Sequence, residues 1–376
     1  MGAPPLQGLK VVELARILAG PWAGQVLADL GATVIKVESP QGDDTRQWGP
    51  PFVVNSDGTR DAAYFHAANR GKQSVVADFG DADDLQRIYA LIEDADIVIE
   101  NFKVGGLAKF GLDFASLEER NPRLIYCSIT GFGQDGPYAS RPGYDFIVQG
   151  MSGMMDLTGE QDGSPQKIGV ALADIMTGLY AVIAIQAALV DRERTGKGQS
   201  IDIALLDVMV GVLANQALNY LVSGTSPRRL GNAHPNIVPY EAFECLDGWL
   251  IIAVGNDRQF SKLCQVLALD EDPDFATNAG RLEHRSRLQG LIRGAVATQQ
   301  RDTLLAALEA NGIPVGPINT VAQAFNDEQV IHRGMREDLT REDGLVIPGV
   351  RLPIRFSRSE VGANLPSPQL NPRSRL

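Results

Sequence analysis

The chain has 376 residues, 44% of them hydrophobic and 21% charged, which suits about two domains with sizeable cores and excludes disorder for most of the length. The 34 Lys+Arg against 46 Asp+Glu leave a net charge of −12. That excludes nonspecific nucleic-acid binding, which feeds on a basic surface, but not an anionic small ligand held by a local patch.

The first nine residues carry neither a basic stretch nor a long apolar core, so no signal peptide is read there. Residues 10–14 and 33–37 read as short β-branched strands with a helix over 23–30 between them. Residues 74–77 read as another strand. Over 81–95, Leu85, Ile88, Leu91 and Ile92 form one helical stripe behind an Asp-rich first turn. Strands at 96–100 and 124–129 complete the series. Strands separated by helices predict βαβ units, an α/β fold with a mainly parallel sheet, and ligands in the loops after the strands. Lys36, Arg70, Lys72 and Lys103 sit beside those strand ends, where a phosphate-bearing ligand is expected.

Residues 168–190 are almost wholly apolar and long enough to span a bilayer. They carry Asp174, Thr177, Tyr180 and Gln186, however, and an ionised Asp in lipid costs ~2.5–3.5 kcal/mol. A buried helix from Asp174 to about residue 190 is the better reading. A strand at 200–205 and a helix over 207–221 follow. The stretch 223–239 is rich in Gly, Pro, Ser, Asn and Arg and marks a boundary. Residues 240–325 read as a smaller α/β unit, with a strand at 249–254 and helices at 259–267 and 301–310. The tail from Ile347 is rich in Pro and Arg, and disorder is expected beyond Gly362.

Cys127, Cys245 and Cys264 lack CxxC spacing, which argues against a disulfide framework and a thiolate zinc site. A reduced, cytoplasmic, soluble protein is expected. His66, His234, His284 and His332 show no ligand spacing, so no metal is expected, and no GxSxG elbow is present. Gly131-Phe-Gly-Gln-Asp-Gly136 matches GxGxxG, but Pro137 and Pro142 are poor material for the helix a dinucleotide needs. Asp174 is the only acid between Asp162 and Asp191. It reads either as a helix N-cap accepting from the Thr177 N–H, or as a nucleophile whose ionised form the helix dipole favours. The two readings are compatible.

A set of ordered blocks then carries a resemblance. Gly8-Leu-Lys-Val-Val-Glu-Leu14 leads to Ala19-Gly-Pro21, Leu30-Gly-Ala-Thr-Val-Ile-Lys-Val-Glu38 and Gly42-Asp43. Asn69-Arg-Gly-Lys72, Val98-Ile-Glu-Asn-Phe102, Ser128-Ile-Thr-Gly-Phe-Gly-Gln134 and Ala173-Asp174 follow. Gly196-Lys-Gly-Gln-Ser-Ile-Asp202 and Gly312-Ile-Pro-Val-Gly-Pro317 complete the set. From about residue 5 to 355 the chain resembles the class III CoA-transferases, the family of formyl-CoA transferase, carnitine CoA-transferase and α-methylacyl-CoA racemase. The resemblance implies a Rossmann-like large domain made by 1–222 with the returning 326–376, a linker or lid at 223–239 and a small domain at 240–325. It also implies an interlocked homodimer, each chain threaded through a ring formed by the other.

The resemblance makes Asp174 the catalytic nucleophile, with acyl-CoA and a free carboxylic acid as substrates and no permanently bound cofactor. It assigns CoA contacts to Leu18, Ala19, Ser39, Ala77, Asp78, Phe79, Gly80, Asn101, Phe102, Lys103, Lys109, Arg141, Gly143 and Tyr144. Lys109 matches an arginine of formyl-CoA transferase, Ser39 replaces another, and Leu18 replaces a glutamine of the formyl/oxalyl site, which argues against oxalate. The racemase branch uses a Gly-His-Asp histidine. Here Gly143-Tyr144-Asp145 stands instead, and a phenol with a pKa near ~10 is a poor base at neutral pH. A transferase is therefore the reading, and the alternatives are a racemase or epimerase, disfavoured by Tyr144, and a CoA-binding protein without turnover. Gly231-Asn-Ala-His-Pro-Asn-Ile-Val-Pro-Tyr240 is similar to the branch that uses succinyl-CoA with glutarate or related diacids. For that branch Gly231, His234, Asp145 and Arg46 are the candidate acceptor contacts. The family commonly closes with a Pro-Leu-Gly-Glu-His-Thr-like segment and a helix, which the residues after Val361 do not reproduce.

Overall fold

Six β-branched or aliphatic runs form the main sheet: β1 (Lys10–Glu13), β2 (Thr33–Glu38), β3 (Lys72–Val76), β4 (Ile97–Glu100), β5 (Ile125–Thr130) and β6 (Gln199–Ala204). The computed structural model that shows them describes residues 2–362 and 365–370. The strands pair in parallel throughout, in the order β3-β2-β1-β4-β5-β6. Helices on both faces bury them, which is why Ile97, Val98 and Ile99 can be apolar in succession. The order reverses between β1 and β4, so the crevice past the C-terminal ends of those two strands is the topological switch point.

The helices of this unit are α1 (Ala19–Asp29), α2 (Ala82–Glu93), α3 (Asp145–Met151), α4 (Leu172–Thr195), α5 (Leu205–Gly211) and α6 (Ala214–Ser223). Asp81 caps α2, its carboxylate accepting from the Asp83 and Asp84 N–H groups at 3.0 Å. The single helix expected over 207–221 is two, bent by 74°. Ala214 at the break takes φ 47°, a left-handed value that no helix continues through.

By length and composition α4 is the one helix among the described residues that could cross a membrane alone. One face of it is core: Ala173, Thr177, Gly178, Ala181, Ile185 and Ala188 are buried, chiefly against α1. The other face leaves Leu179, Tyr180, Ile183 and Val190 exposed. Gly178 is needed at the crossing, because a Cβ there would stand 2.7 Å from the Ala19 carbonyl oxygen.

The chain divides into two compact units, Met1–Met154 with Lys167–Thr225 and Glu328–Leu376, and Met155–Gln166 with Ser226–Asp327. The second holds an antiparallel sheet of β7 (Tyr240–Cys245), β8 (Gly248–Ala253) and β9 (Val315–Pro317), in the order β9-β8-β7. Phe243, Leu250 and Ile252 pack there with Phe260, Leu263, Ile292 and Leu308 from helices. Residues 155–166 join this unit through Arg229, which donates to Asp156 at 2.9 Å, and through the Gly231 N–H, 3.2 Å from the Gly159 carbonyl.

The tail departs from expectation. Arg336–Thr340 and Val346–Val350 form an antiparallel hairpin. Residues 365–370, expected to be disordered, are docked: Gly71 donates to the Leu365 carbonyl at 2.8 Å, and buried Ser367 meets the His66 ring. Backbone and hydroxyl hydrogen bonds hold this proline-rich strip, and composition carries no mark of them. Residues 363–364 and 371–376 of the same expectation lie outside the described residues.

Candidate active site

After β1 the chain turns through residues 14–18 into α1, at the switch point. Asn101, just past β4, clamps this turn: its Oδ1 accepts from the Arg16 N–H at 2.8 Å and its Nδ2 donates to the Arg16 carbonyl at 2.7 Å. Ile17 is held at φ 71°, costly for a β-branched residue. Its N–H donates to Asp43 Oδ2 at 3.2 Å, so both sides of the strained residue are fixed. Leu18 and Ala19 follow, buried, as N-cap and first residue of α1. No side chain caps this helix, and the Ala19 and Gly20 N–H groups find no acceptor among the described residues. Two backbone donors at the positive end of a helix dipole are therefore available to an anion.

Asp174 lies one turn ahead of Gly178 and hence beside the start of α1. It is not the N-cap of α4, a position that belongs to Ala171. The cap-type bond is made by Asp145, whose Oδ1 accepts from the Ala173 N–H at 2.8 Å. Gln149 fixes Asp145, donating to its Oδ2 at 2.8 Å while accepting from the Ile168 N–H at 3.0 Å. Burial, and then the charge of Asp145, raise the Asp174 pKa to about 7. A carboxylate held that high keeps its nucleophilicity while remaining ionised in part at neutral pH.

Close backbone approach joins the glycine loop to this region. An added Cβ on Gly143 would sit 2.1 Å from the Gly131 Cα, so both positions demand glycine. Tyr144, the next residue, is the N-cap of α3 and is 62% exposed.

The expected acceptor role of Arg46 is not supported. Its guanidinium is buried, with Nε 2.8 Å and Nη2 2.7 Å from the two Glu38 oxygens and Nη1 2.9 Å from Asp61. Lys36 and Lys72 are likewise not ligand groups at strand ends. Lys36 Nζ is spent on Glu13 at 3.0 Å, Asp43 at 2.9 Å and the Ala15 carbonyl at 2.9 Å. Lys72 is spent on Glu13 at 2.8 Å, the Pro21 carbonyl at 2.8 Å and Asn69 at 2.9 Å. Arg70 pairs with buried Asp29. Burying so many charges is tolerable only when each is paired, and the network's output is the geometry of the 14–18 turn.

At the switch point opens a cavity of about 370 Å³ lined by Arg16, Ser39, Ala77, Asp78, Phe79, Phe102 and Phe110, among others. It gathers five of the residues that the resemblance assigns to CoA. Ser39 Oγ donates to the Gly42 carbonyl at 3.2 Å, and Gly80 N–H donates to Asp78 Oδ1 at 2.8 Å. Lys103 and Lys109 lie outside the lining and are exposed, Lys109 with its ammonium 4.5 Å from the Phe110 ring centre. Arg141 is exposed and rests on the Tyr138 ring at 4.6 Å.

The family model for CoA-transferase family III matches residues 6–374. The chain belongs to CoA-transferase family III. It is 58% identical over 372 residues to the succinate–glutarate CoA-transferase of Agrobacterium fabrum, covering 98% of this chain and 93% of that protein. It is 40% identical to the human succinyl-CoA:glutarate CoA-transferase, over 97% of this chain and 83% of that one. Among solved structures, a CAIB/BAIF family protein from Brucella suis superposes with a TM-score of 0.91 at 59% identity, covering 99% of this chain and 98% of its own. A Mycobacterium tuberculosis protein does so at 0.86 and 32% identity, over 100% and 99%.

In this CoA-transferase, sequence reasoning missed three side chains of the site. Tyr64 is held above its usual pKa by burial and then by Asp174 and Asp145, which places its phenol near both carboxylates. Trp48 meets Tyr64 edge-on at 5.3 Å. Arg16 lines the cavity. The position of Arg16, directly after a strand whose C-terminal loop should bind ligand, was the available signal. Tyr64 is brought towards Asp174 by tertiary folding, with Trp48 against its ring, and neither leaves such a mark.

Gly231 and His234 belong to the second unit. His234 Nδ1 accepts from the Asn236 N–H at 3.1 Å. Among the described residues no cluster of three or more His, Cys, Asp or Glu is placed to hold a metal ion.

Proposed function

We propose that this CoA-transferase moves CoA from succinyl-CoA to glutarate or a similar short dicarboxylate, with Asp174 as the covalent nucleophile. The observation that carries the mechanism is a partly buried carboxylate with a pKa near 7, one turn from the close contact between α4 and the uncapped start of α1. The kinship with the succinate–glutarate enzyme of Agrobacterium fabrum supports the choice of acids.

An Asp174 oxygen attacks the thioester carbonyl of succinyl-CoA, the C–S bond breaks, and a succinyl–aspartyl anhydride and CoA thiolate result. The thiolate then attacks the aspartyl carbonyl, releasing succinate and leaving an aspartyl-CoA thioester. A glutarate carboxylate attacks that thioester, giving a glutaryl–aspartyl anhydride and thiolate again. Attack of the thiolate on the glutaryl carbonyl releases glutaryl-CoA and restores Asp174. No proton is gained or lost, so the site needs oxyanion donors rather than a strong base. The free Ala19 and Gly20 N–H groups are suited to that work. Water must be kept out while the anhydrides exist. Burial around Asp174 serves this end.

The CoA nucleotide is assigned to the cavity walled by Phe79, Phe102 and Phe110, where a purine gains by stacking. The homodimer belongs to the same proposal. Ile183 at 61%, Leu221 at 71% and Val222 at 83% exposure are large apolar side chains without cover, as a partner-facing surface requires.

Incubation with succinyl-CoA and a panel of mono- and dicarboxylic acids, followed by mass analysis of the CoA esters, tests the reading. Glutaryl-CoA should accumulate with loss of succinyl-CoA. Exchange confined to monocarboxylates would overturn the substrate assignment, and solvent deuterium at Cα without CoA exchange would favour racemisation.

A further inference from the structure

We infer that Arg16 is the phosphate-binding side chain of the CoA nucleotide site, held in reserve by Asp44. The inference rests on the CoA reading of the cavity above. Five ionisable residues line that cavity: Arg16, Lys36, Glu38, Asp43 and Asp78. Lys36, Glu38 and Asp43 are buried in the interior network and fully engaged there. Asp78 is anionic and binds the Gly80 N–H. Arg16 is therefore the lining cation whose head group remains free to take an anion.

Its backbone and its side chain are held very differently. Asn101 and Asp43 pin the backbone of residues 16 and 17 through three hydrogen bonds of 2.7–3.2 Å. The guanidinium makes a single ion pair with Asp44 at 3.2 Å, and both side chains are 55% exposed. An exposed pair of that kind contributes little to stability, so Asp44 is readily released. A guanidinium that meets a phosphate through two parallel N–H···O bonds gains more than that. The guanidinium also lies 5.8 Å from the centre of the Phe102 ring, so it stands beside the wall on which the adenine would stack. The site falls at the crossover of β1 and β4, where parallel sheets of this order bind nucleotides.

The chemistry is a simple exchange of anions. Bound CoA brings phosphate oxygens to the mouth of the cavity, Arg16 leaves Asp44 for them, and no covalent bond changes. Asp44 opposes binding twice, as competitor for the guanidinium and as a like charge for the phosphate.

The test uses the full-length enzyme, calorimetric titration with CoA and dephospho-CoA, and steady-state kinetics. Arg16→Gln should weaken CoA about tenfold or more. It should raise KM for succinyl-CoA in proportion, with kcat and the KM for the acid acceptor nearly unchanged. Arg16→Lys should recover part of the loss. Loss confined to CoA would assign the 3′-phosphate, and equal loss with dephospho-CoA would assign the diphosphate; both support the role. Asp44→Asn should tighten CoA a few-fold. Unchanged CoA affinity in Arg16→Gln, or weakened affinity in Asp44→Asn, would overturn the inference. A wild-type enzyme that binds CoA without turnover would instead defeat the transferase reading, and the titrations would still decide the role of Arg16.

Discussion

Replacing Asp174 by Asn should make the protein more stable, and more so as the pH rises. In the unfolded chain this carboxyl titrates near its ordinary value of 3.8, whereas burial and then Asp145 raise it to about 7 in the folded protein. Between those values the folded state binds more protons than the unfolded one, so wild-type stability falls as pH rises through the window. Below about 3.8 both states are protonated and the penalty vanishes; above about 7 it is complete. At 1.36 kcal/mol per pH unit the full gap is worth up to about 4 kcal/mol. Solvent reaching a partly exposed carboxyl trims this to about 2–3 kcal/mol. The amide is neutral at every pH and nearly isosteric. Urea unfolding of both proteins by circular dichroism should therefore give similar stabilities near about pH 4 and a variant stabler by about 2–3 kcal/mol near about pH 8. A difference that does not change with pH would refute the reasoning, as would a wild type that gains on the variant towards alkaline pH.

Other expectations follow from the same contacts. Asp145→Asn removes the second cause of the raised Asp174 pKa but not the burial. The acid limb of the kcat/KM profile should move to lower pH while staying above the ordinary carboxylate range; an unmoved limb would count against the coupling. Gly24→Ala, which helix propensity favours by about 1 kcal/mol, should instead destabilise. The new Cβ would sit 1.9 Å from the buried Glu13 Oε2 and 3.3 Å from Lys72 Cε, and overpacking of this kind costs about 1–3 kcal/mol. A higher midpoint in urea would show that the Glu13–Lys36–Lys72 network has room to give.

The parallel sheet was legible because its strands are short β-branched runs bounded by helices, and a cavity does open past the strand ends where a ligand was expected. The resemblance, carried by blocks such as Leu30–Glu38 and Ala173-Asp174, agrees with the matching family model. Basic residues misled: Lys36 and Lys72 lie on strands beside the binding loops and Arg46 just after one, yet their acidic partners, Glu13, Asp43, Glu38 and Asp61, reach them from other elements of the fold. Sequence spacing cannot reveal that pairing. For Asp174 the local rule pointed to a cap, but a residue 29 positions earlier, Asp145, supplies the bond at that helix start. Tyr64 was invisible for the same reason, its approach to Asp174 being wholly tertiary. The docked strip 365–370 defied its composition because hydrogen bonds to Gly71 and His66 and the burial of Pro366 hold it.

The most direct measurement is to mix the enzyme with succinyl-CoA and no acceptor, quench with hydroxylamine, digest, and read the modified peptide by mass spectrometry. The hydroxamate should form on Asp174, depend on succinyl-CoA, and be absent from Asp174→Asn. Modification of another carboxylate, or transfer that proceeds at full rate with none of Asp174 labelled, would contradict the covalent route.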